Sequence, residues 1–187
     1  MTTQNNQKPQ NYLLELCFAA EQITESLQFC FYDEKHNRCE QLLHGPLAST
    51  FNFQKGDRIT VKIMGSAQTK PSRPKGPLPR FDMQINNCSL VSIPELGTDD
   101  ISMFDPESAI TTLSDQWTQS EPVVDEENDS VSITATYEMP LNVVTKKGQW
   151  KISGYLSVNV MLNGKSMNKL YYFDPESSAG TGGWGPD

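Results

Sequence analysis

The sequence has no long apolar run, and its cations are outnumbered by its acidic residues. No hydrophobic stretch approaches the roughly 20 residues that a helix needs to cross a bilayer. Lys and Arg total 15 against 23 Asp and Glu, which gives a net charge of -8. Binding to nucleic acid over the whole surface is disfavoured because phosphate contacts require clustered cations, and anionic membranes repel such a chain. The first ten residues also lack the basic and then apolar pattern of a signal peptide. We therefore expect a cytoplasmic protein without nucleic-acid or membrane partners.

Histidine and cysteine are scarce, which limits the available chemistry. The two histidines, His36 and His44, both lie near a predicted turn and give a Ser-His or Cys-His mechanism little to draw on. No nucleophile elbow, phosphate loop or dinucleotide fingerprint is present. We expect no enzymatic activity and no cofactor.

The four cysteines are expected to be free thiols, because no secretion signal accompanies them. Cys30 and Cys39 with His36 and His44 are the residue types that zinc prefers, but they lack a Cys-x-x-Cys spacing. A core thiol with surface histidines is the favoured interpretation.

Apolar residues alternate with polar ones over much of the chain, which is typical of half-buried antiparallel strands. Examples are the segments 12–18, 59–63, 131–139 and 149–162, and Asn163-Gly164 predicts a tight hairpin. We predict an all-β fold, an antiparallel β-sandwich of about eight or nine strands with one short helix, with a barrel as the alternative. The expected domain layout is a disordered tail over 1–10, a single sandwich over 11–176 and a glycine-rich flexible tail over 177–187.

The pentapeptide Phe-Asp-Pro-Glu-Ser occurs twice, at Phe104–Ser108 and Phe173–Ser177. In the first copy the Asp is suited to cap a helix that begins at Pro, and apolar residues then recur at helical spacing. This predicts a short helix from about Pro106 to Gln116. Glycines follow the second copy, so it is expected to end a strand instead.

The repeat suggests a candidate metal site, although shared turn chemistry is the favoured interpretation. Asp105, Glu107, Asp174 and Glu176 would offer carboxylate oxygens to a hard cation such as calcium. The acidic run 125–129 resembles the first half of a calcium loop but lacks its Gly and closing Glu, which favours a solvated acidic turn.

The segment Lys70–Arg80 holds four prolines and four cations. It is expected to form an extended surface loop that is available to a small ligand or a protein partner, or that contacts the acidic middle of the same chain or of a neighbouring copy. Contact with a neighbouring copy would favour a homo-oligomer.

Three segments resemble the PixA/AidA inclusion-body proteins of bacteria. They are Leu47–Ile59, with a strand entering a Gly-Asp turn; Gln149–Tyr155, with Gly followed by an aromatic residue; and Tyr172–Glu176, a closing aromatic-Asp-Pro. The resemblance implies an all-β cytoplasmic protein, without known catalytic residues, that accumulates or self-associates. We expect a non-enzymatic self-associating β-sandwich; the alternative is a calcium- or carbohydrate-binding module that uses the four carboxylates of the repeat.

Overall fold

The structure is a computed structural model that describes residues 8–39, 51–68, 79–96, 100–104, 108–145 and 148–174. These residues form twelve strands and no helix. The strands are β1 (Asn11–Ala19), β2 (Gln28–Tyr32), β3 (Phe51–Phe53), β4 (Arg58–Gln68), β5 (Phe81–Leu96), β6 (Ile110–Leu113), β7 (Trp117–Gln119), β8 (Val123–Asp125), β9 (Ser130–Tyr137), β10 (Leu141–Asn142), β11 (Gly148–Leu162) and β12 (Lys165–Phe173). Within these ranges no helix is long and apolar enough to cross a membrane.

The strands form two sheets, which confirms the predicted all-β sandwich. The first sheet has the order β2-β1-β4-β9-β7, with β10 also beside β4 and β8 also beside β9. The second has the order β12-β11-β5-β6, with β3 also beside β11. One neighbouring pair, β1 with β4, is parallel and places Leu14 opposite Val61. The first sheet is therefore mixed at this one pair, where the sequence alternation predicted antiparallel neighbours, and the second sheet is antiparallel throughout.

The core lies between the two sheets and is rich in aromatic rings. In β1, β4 and β9 every second residue is buried, as the alternation predicts. Phe18 of the first sheet stacks on Tyr171 of the second with ring centroids 4.9 Å apart, and Phe31 lies 4.3 Å from Phe51. Each large apolar side chain buried in this way contributes about 1.5–3 kcal/mol to folding.

The predicted helix from Pro106 to Gln116 is wrong over its described residues, 108–116. Ile110–Leu113 is strand β6, which pairs antiparallel with β5 and places Leu113 opposite Cys88. Asp115 has a φ of 66°, which interrupts a right-handed helix, and β7 begins at Trp117. The apolar spacing of three and four residues instead comes from a strand, a turn and a second strand, and the two threonines of β6 favour the extended state.

A short segment joins the two sheets at one edge. The backbone N–H of Leu27 donates to the carbonyl oxygen of Tyr172 at 2.8 Å. The backbone N–H of Tyr172 donates to the carbonyl oxygen of Glu25 at 2.7 Å. The chain then enters β2 in the first sheet. The outer edge of β12 is therefore covered at this point, which limits edge-to-edge pairing there.

The chain termini are described only in part. Residues 1–7 of the predicted tail, and all of 177–187, lie outside the described residues. Gln10 donates its backbone N–H to Asp57 at 2.9 Å, and Gln54 donates its side-chain N–H to the carbonyl of Lys8 at 3.0 Å. The residues directly before β1 are therefore hydrogen-bonded to the turn that precedes β4.

Candidate functional site

The outward side of the second sheet is the most distinctive surface among the described residues, and we call it the neutral face. Strand register and alternating burial define its members. They are Gln84, Asn87, Ser89, Val91 and Ile93 of β5, Ile110 and Thr112 of β6, Ser153, Tyr155, Ser157 and Asn159 of β11, and Asn168, Leu170 and Tyr172 of β12.

None of these side chains is charged, although 20% of the residues in the chain are. Charges occur only where the face ends. On β5, Asp82 lies at one end, and on β11, Lys151 lies at the other, opposite Ile93. An uncharged centre with charged margins is the arrangement found at protein interfaces, where charged residues are depleted from the core of the contact.

Large apolar side chains stand exposed on the neutral face. Tyr155 is 54% exposed, Leu170 59% and Tyr172 42%. Ile93 and Ile110 are also exposed, but they lie on β5 and β6, away from these three residues. Tyr155 lies directly opposite Tyr172, and Leu170 is the next outward residue to Tyr172 on β12. These neighbours form a patch, because directly opposed side chains on adjacent strands lie about 4.5–5.5 Å apart.

The polar members of the face are neutral hydrogen-bonding groups. The hydroxyl of Ser89 lies 3.5 Å from that of Thr112 and 3.4 Å from Oδ1 of Asn87. On β11, Asn159 Oδ1 accepts from Ser166 at 2.7 Å. Hydroxyls and amides can be buried against another surface when they find hydrogen-bond partners there, whereas an isolated buried charge costs far more. The face is suited to another flat neutral surface.

Close packing beneath the face holds β11 against its neighbours. Gly154 points inward between Tyr155 and Ser153, and a Cβ there would lie 2.6 Å from the carbonyl oxygen of Ser89. It would also lie 2.7 Å from Cε1 of Phe173. The glycine therefore permits the spacing of β5, β11 and β12 that places their outward residues side by side.

The four carboxylates predicted to bind a metal are mostly outside the described residues. This applies to Asp105, Glu107 and Glu176, while Asp174 is half-buried and follows β12 two residues after Tyr172. Asp174 thus borders the neutral face, and the calcium site stays a prediction. Among the described residues, no three His, Cys, Asp or Glu side chains are grouped as metal ligands.

The zinc candidates do not assemble in the part of the chain that is described. Cys30 lies on the outward side of β2, His36 is exposed in the following turn with a φ of 60°, and Cys39 is half-buried. His44 lies outside the described residues.

The acidic run 125–129 forms a turn that uses its own carboxylate. Asp125 accepts the side-chain N–H of Asn128 at 2.7 Å and the backbone N–H groups of Asn128 and Glu127 at 3.1 and 3.0 Å. These hydrogen bonds, that from the Asn128 side chain first, hold the pKa of Asp125 below its ordinary value. The turn is exposed, and its geometry agrees with the predicted solvated acidic loop.

The neutral face was not recognised from the sequence, although a signal exists. After Lys151 the outward phase of β11 reads Ser153, Tyr155, Ser157 and Asn159, four successive positions without charge. An uncharged outward run of this length indicates a covered or binding surface.

No family model, curated protein or solved structure matches the chain.

Proposed function

We propose that this protein is a non-enzymatic β-sandwich that associates with a second copy of itself through the neutral face. The exposure of Tyr155, Leu170 and Tyr172 on a sheet face without charge is the observation that supports this function. Tyrosine is enriched, and charge depleted, at the centres of such contacts. The self-association that the resemblance to PixA/AidA proteins implies is carried over as part of the same proposal, together with a cytoplasmic location.

The size of the face suits a weak dimer. Its members span about ten residues of β5, three of β6, seven of β11 and five of β12, which at about 3.3 Å per residue and about 4.8 Å per strand cover roughly 400 Å² of flat area. Accessible area exceeds flat area, so two such faces together bury an area in the range below about 1,200 Å² that is typical of weak or transient contacts. Two identical faces related by a two-fold axis present the same patch to each other, which closes the assembly at two copies.

The net charge makes association dependent on salt. Two copies with a net charge of -8 each repel one another, while the contact itself buries neutral groups. Salt screens the repulsion over about 10 Å at 0.1 M and leaves the apolar contribution in place. Association is therefore expected to strengthen as the salt concentration rises.

The test is the molar mass of the full chain, measured by light scattering and sedimentation over a wide concentration range at low and moderate salt. The proposal is supported if the chain is a monomer at low protein concentration and a dimer at high concentration, and if moderate salt lowers the protein concentration at which dimers form. A monomeric mass throughout contradicts it. A dimer that weakens as salt is added indicates an ionic contact elsewhere, such as the segment 70–80 against the acidic middle of the chain.

Carbohydrate binding is the second candidate function, favoured by Tyr155 and Tyr172 side by side among hydroxyl and amide groups. An aromatic side chain offers an apolar face on which a sugar ring can lie, and neutral side chains are suited to its hydroxyls. Calorimetric titration with neutral oligosaccharides separates the two functions. Binding that is lost in Tyr155→Ala, by a protein that is monomeric throughout, would favour this candidate.

The calcium alternative has its own test. If Asp174 and the other carboxylates of the repeat bind calcium, then the melting temperature rises with calcium and falls with a chelator. An unchanged melting temperature over a range of calcium concentrations removes the alternative.

A further inference from the structure

The outer edge of β12 is unpaired over most of its length. The backbone N–H and carbonyl of Tyr172 point away from β11, since both bond to the segment 25–27. Every second residue of a strand directs its backbone groups to the same side, so this orientation also applies to Ser166, Asn168 and Leu170. In the part of the chain that the structure describes, no strand pairs with β12 at these three residues and none of their outward backbone groups is hydrogen-bonded. An unpaired edge of this kind is a template for a further strand.

Cations line this edge, although the chain as a whole has a net charge of -8. Exposed Lys165 and half-buried Lys169 lie on the inward side of β12, with Met167 between them. The ammonium of Lys169 donates to the carbonyl oxygen of Gln22 at 3.1 Å, which leaves other N–H groups of that ammonium available. Exposed Arg80 is hydrogen-bonded through its backbone to the turn that precedes β12. The edge therefore favours a negatively charged partner.

Lysines on an edge strand usually deter pairing with another strand, and here they disfavour a second copy. Two antiparallel registers would pair most of the free edge with that of another copy. With Met167 at the centre, Lys165 of each copy would face Lys169 of the other, and directly opposed like charges destabilise a pair of strands. With Asn168 at the centre, the hairpin turn of one copy would lie beside Tyr172 of the other, where the edge is already covered.

We propose that the edge of β12 binds an extended acidic peptide of a partner protein, which adds to the second sheet as a further strand. Hydrogen bonds to the free backbone groups would provide affinity, and the alternate side chains would provide specificity. Two acidic residues of the peptide would face Lys165 and Lys169, and the residue midway between them would face Met167. Directly opposed opposite charges stabilise such a pair of strands.

The protein already uses this mode of pairing once, because the segment 25–27 bonds to Tyr172 through its backbone at the same edge. The peptide would continue that contact along β12. An added strand leaves the outward side of the second sheet uncovered, so the proposal is independent of self-association through the neutral face.

The experiment measures the binding of short labelled peptides to the full chain by fluorescence anisotropy. The acidic peptide is Thr-Glu-Thr-Val-Thr-Glu-Thr, which reads the same in both directions and so suits a parallel or an antiparallel added strand. One control peptide has lysine in place of both glutamates. The other has the same composition in the order Thr-Glu-Thr-Val-Glu-Thr-Thr, which directs its two carboxylates to opposite sides of an extended strand.

Two positions of the chain are varied. Asn168→Pro removes an outward N–H from the edge, and an edge strand tolerates proline where its N–H would face solvent. Asn168→Ala keeps that N–H and is the matched control. Lys165→Glu reverses the charge beside the peptide and tests the proposal even if the proline variant fails to fold. Circular dichroism establishes which variants keep the fold.

The acidic peptide is expected to bind more tightly than both control peptides. Asn168→Pro should bind it about tenfold more weakly than Asn168→Ala, because a backbone hydrogen bond is lost. Lys165→Glu should weaken binding of the acidic peptide and strengthen binding of the lysine peptide, each about two- to fivefold, as is typical of exposed ion pairs.

Four results would overturn the proposal. They are equal binding by Asn168→Pro and Asn168→Ala, no preference for the acidic peptide over its controls, an unchanged preference in Lys165→Glu, and no binding at millimolar peptide. A dimer that forms without peptide and is abolished by Asn168→Pro but not by Asn168→Ala would also overturn it, because a second copy would then occupy the edge.

Discussion

Tyr155 of β11 and Tyr172 of β12 lie directly opposite each other on the outward side of the second sheet. Their in-register neighbours, Gly154 and Phe173, lie on the inward side, where the missing Cβ makes room for the phenylalanine ring. One pair of residues thus forms the exposed patch, and the adjacent pair fixes the strand spacing beneath it.

Charge placed on the neutral face should weaken self-association. Tyr155→Lys would require an ammonium to be buried without a partner and would remove a large apolar contact. We expect a loss of about 2 kcal/mol of association free energy, which is about a thirtyfold weaker Kd. The measurement is sedimentation over a concentration series.

The control for that variant is Thr134→Lys, the same change in charge at an outward position of β9 in the first sheet. It is expected to associate as the unaltered chain does. If both lysine variants weaken association equally, then total charge and not the neutral face governs it, and the assignment of the interface to this face is wrong.

Gly154→Ala should destabilise the fold. The added Cβ would lie 2.6 Å from the carbonyl oxygen of Ser89, a backbone atom that moves only if β5 and β11 separate. Overpacking of this kind costs about 1–3 kcal/mol. Chemical denaturation should show this loss, whereas Ser153→Ala, on the outward side of the same strand, should stay within about 0.5 kcal/mol. Equal stability of the two variants would show that β11 accommodates the methyl group.

The strands with strong alternation were predictable because their burial depends on local periodicity alone. Segments such as 59–63 and 131–137 alternate over their whole length, and both lie in strands. The Asn163-Gly164 turn was predictable for a related reason, since both residues have positive φ, 51° and 80°, as a tight hairpin requires.

The remaining features depend on contacts between distant parts of the chain. The parallel pairing of β1 with β4 follows from which strands become neighbours, and no local pattern encodes it. Strand β5 has a bulge between Ile85 and Asn87, where its register with β11 shifts. The neutral face has the same origin, because its uncharged positions come together only once β5, β11 and β12 are adjacent.

Asp57 should contribute strongly to stability through two backbone hydrogen bonds. Its carboxylate is buried and accepts the N–H of Gln10 and the N–H of Gln54, each at 2.9 Å. Asp57→Ala would leave both donors without this acceptor and should cost about 3 kcal/mol, since hydrogen bonds to charged groups contribute about 1.5–3 kcal/mol each. Urea unfolding at neutral pH measures the loss.

Asp57→Asn tests the cause, because its amide oxygen can replace only one of the two acceptors. It is expected to recover part of the stability lost in Asp57→Ala. Glu126→Ala, a change of the same charge in the exposed acidic turn, should have an effect within about 0.5 kcal/mol. A similar loss in Glu126→Ala would indicate that net charge, and not the two hydrogen bonds, is responsible.

Tyr171 should make the protein sensitive to alkali. Burial, with the charge of Glu21 next, raises the pKa of this phenol from 10.0 to about 12. Above pH 10 the unfolded chain therefore loses a proton that the folded chain retains, so stability falls as pH rises toward about 12 and is unaffected below pH 10. The expected slope approaches 1.4 kcal/mol per pH unit for this one proton.

The variant Tyr171→Phe keeps the stacking with Phe18 and removes the titrating group, whose hydroxyl is buried without a hydrogen-bond partner among the described residues. Urea unfolding at pH 8 and pH 11 should show equal or greater stability at pH 8 and a smaller loss at pH 11 than in the unaltered chain. Burial raises the pKa of Cys88 to about 12, so part of the alkaline loss should persist. An unchanged difference between the two pH values would show that Tyr171 ionises alike in the folded and unfolded states.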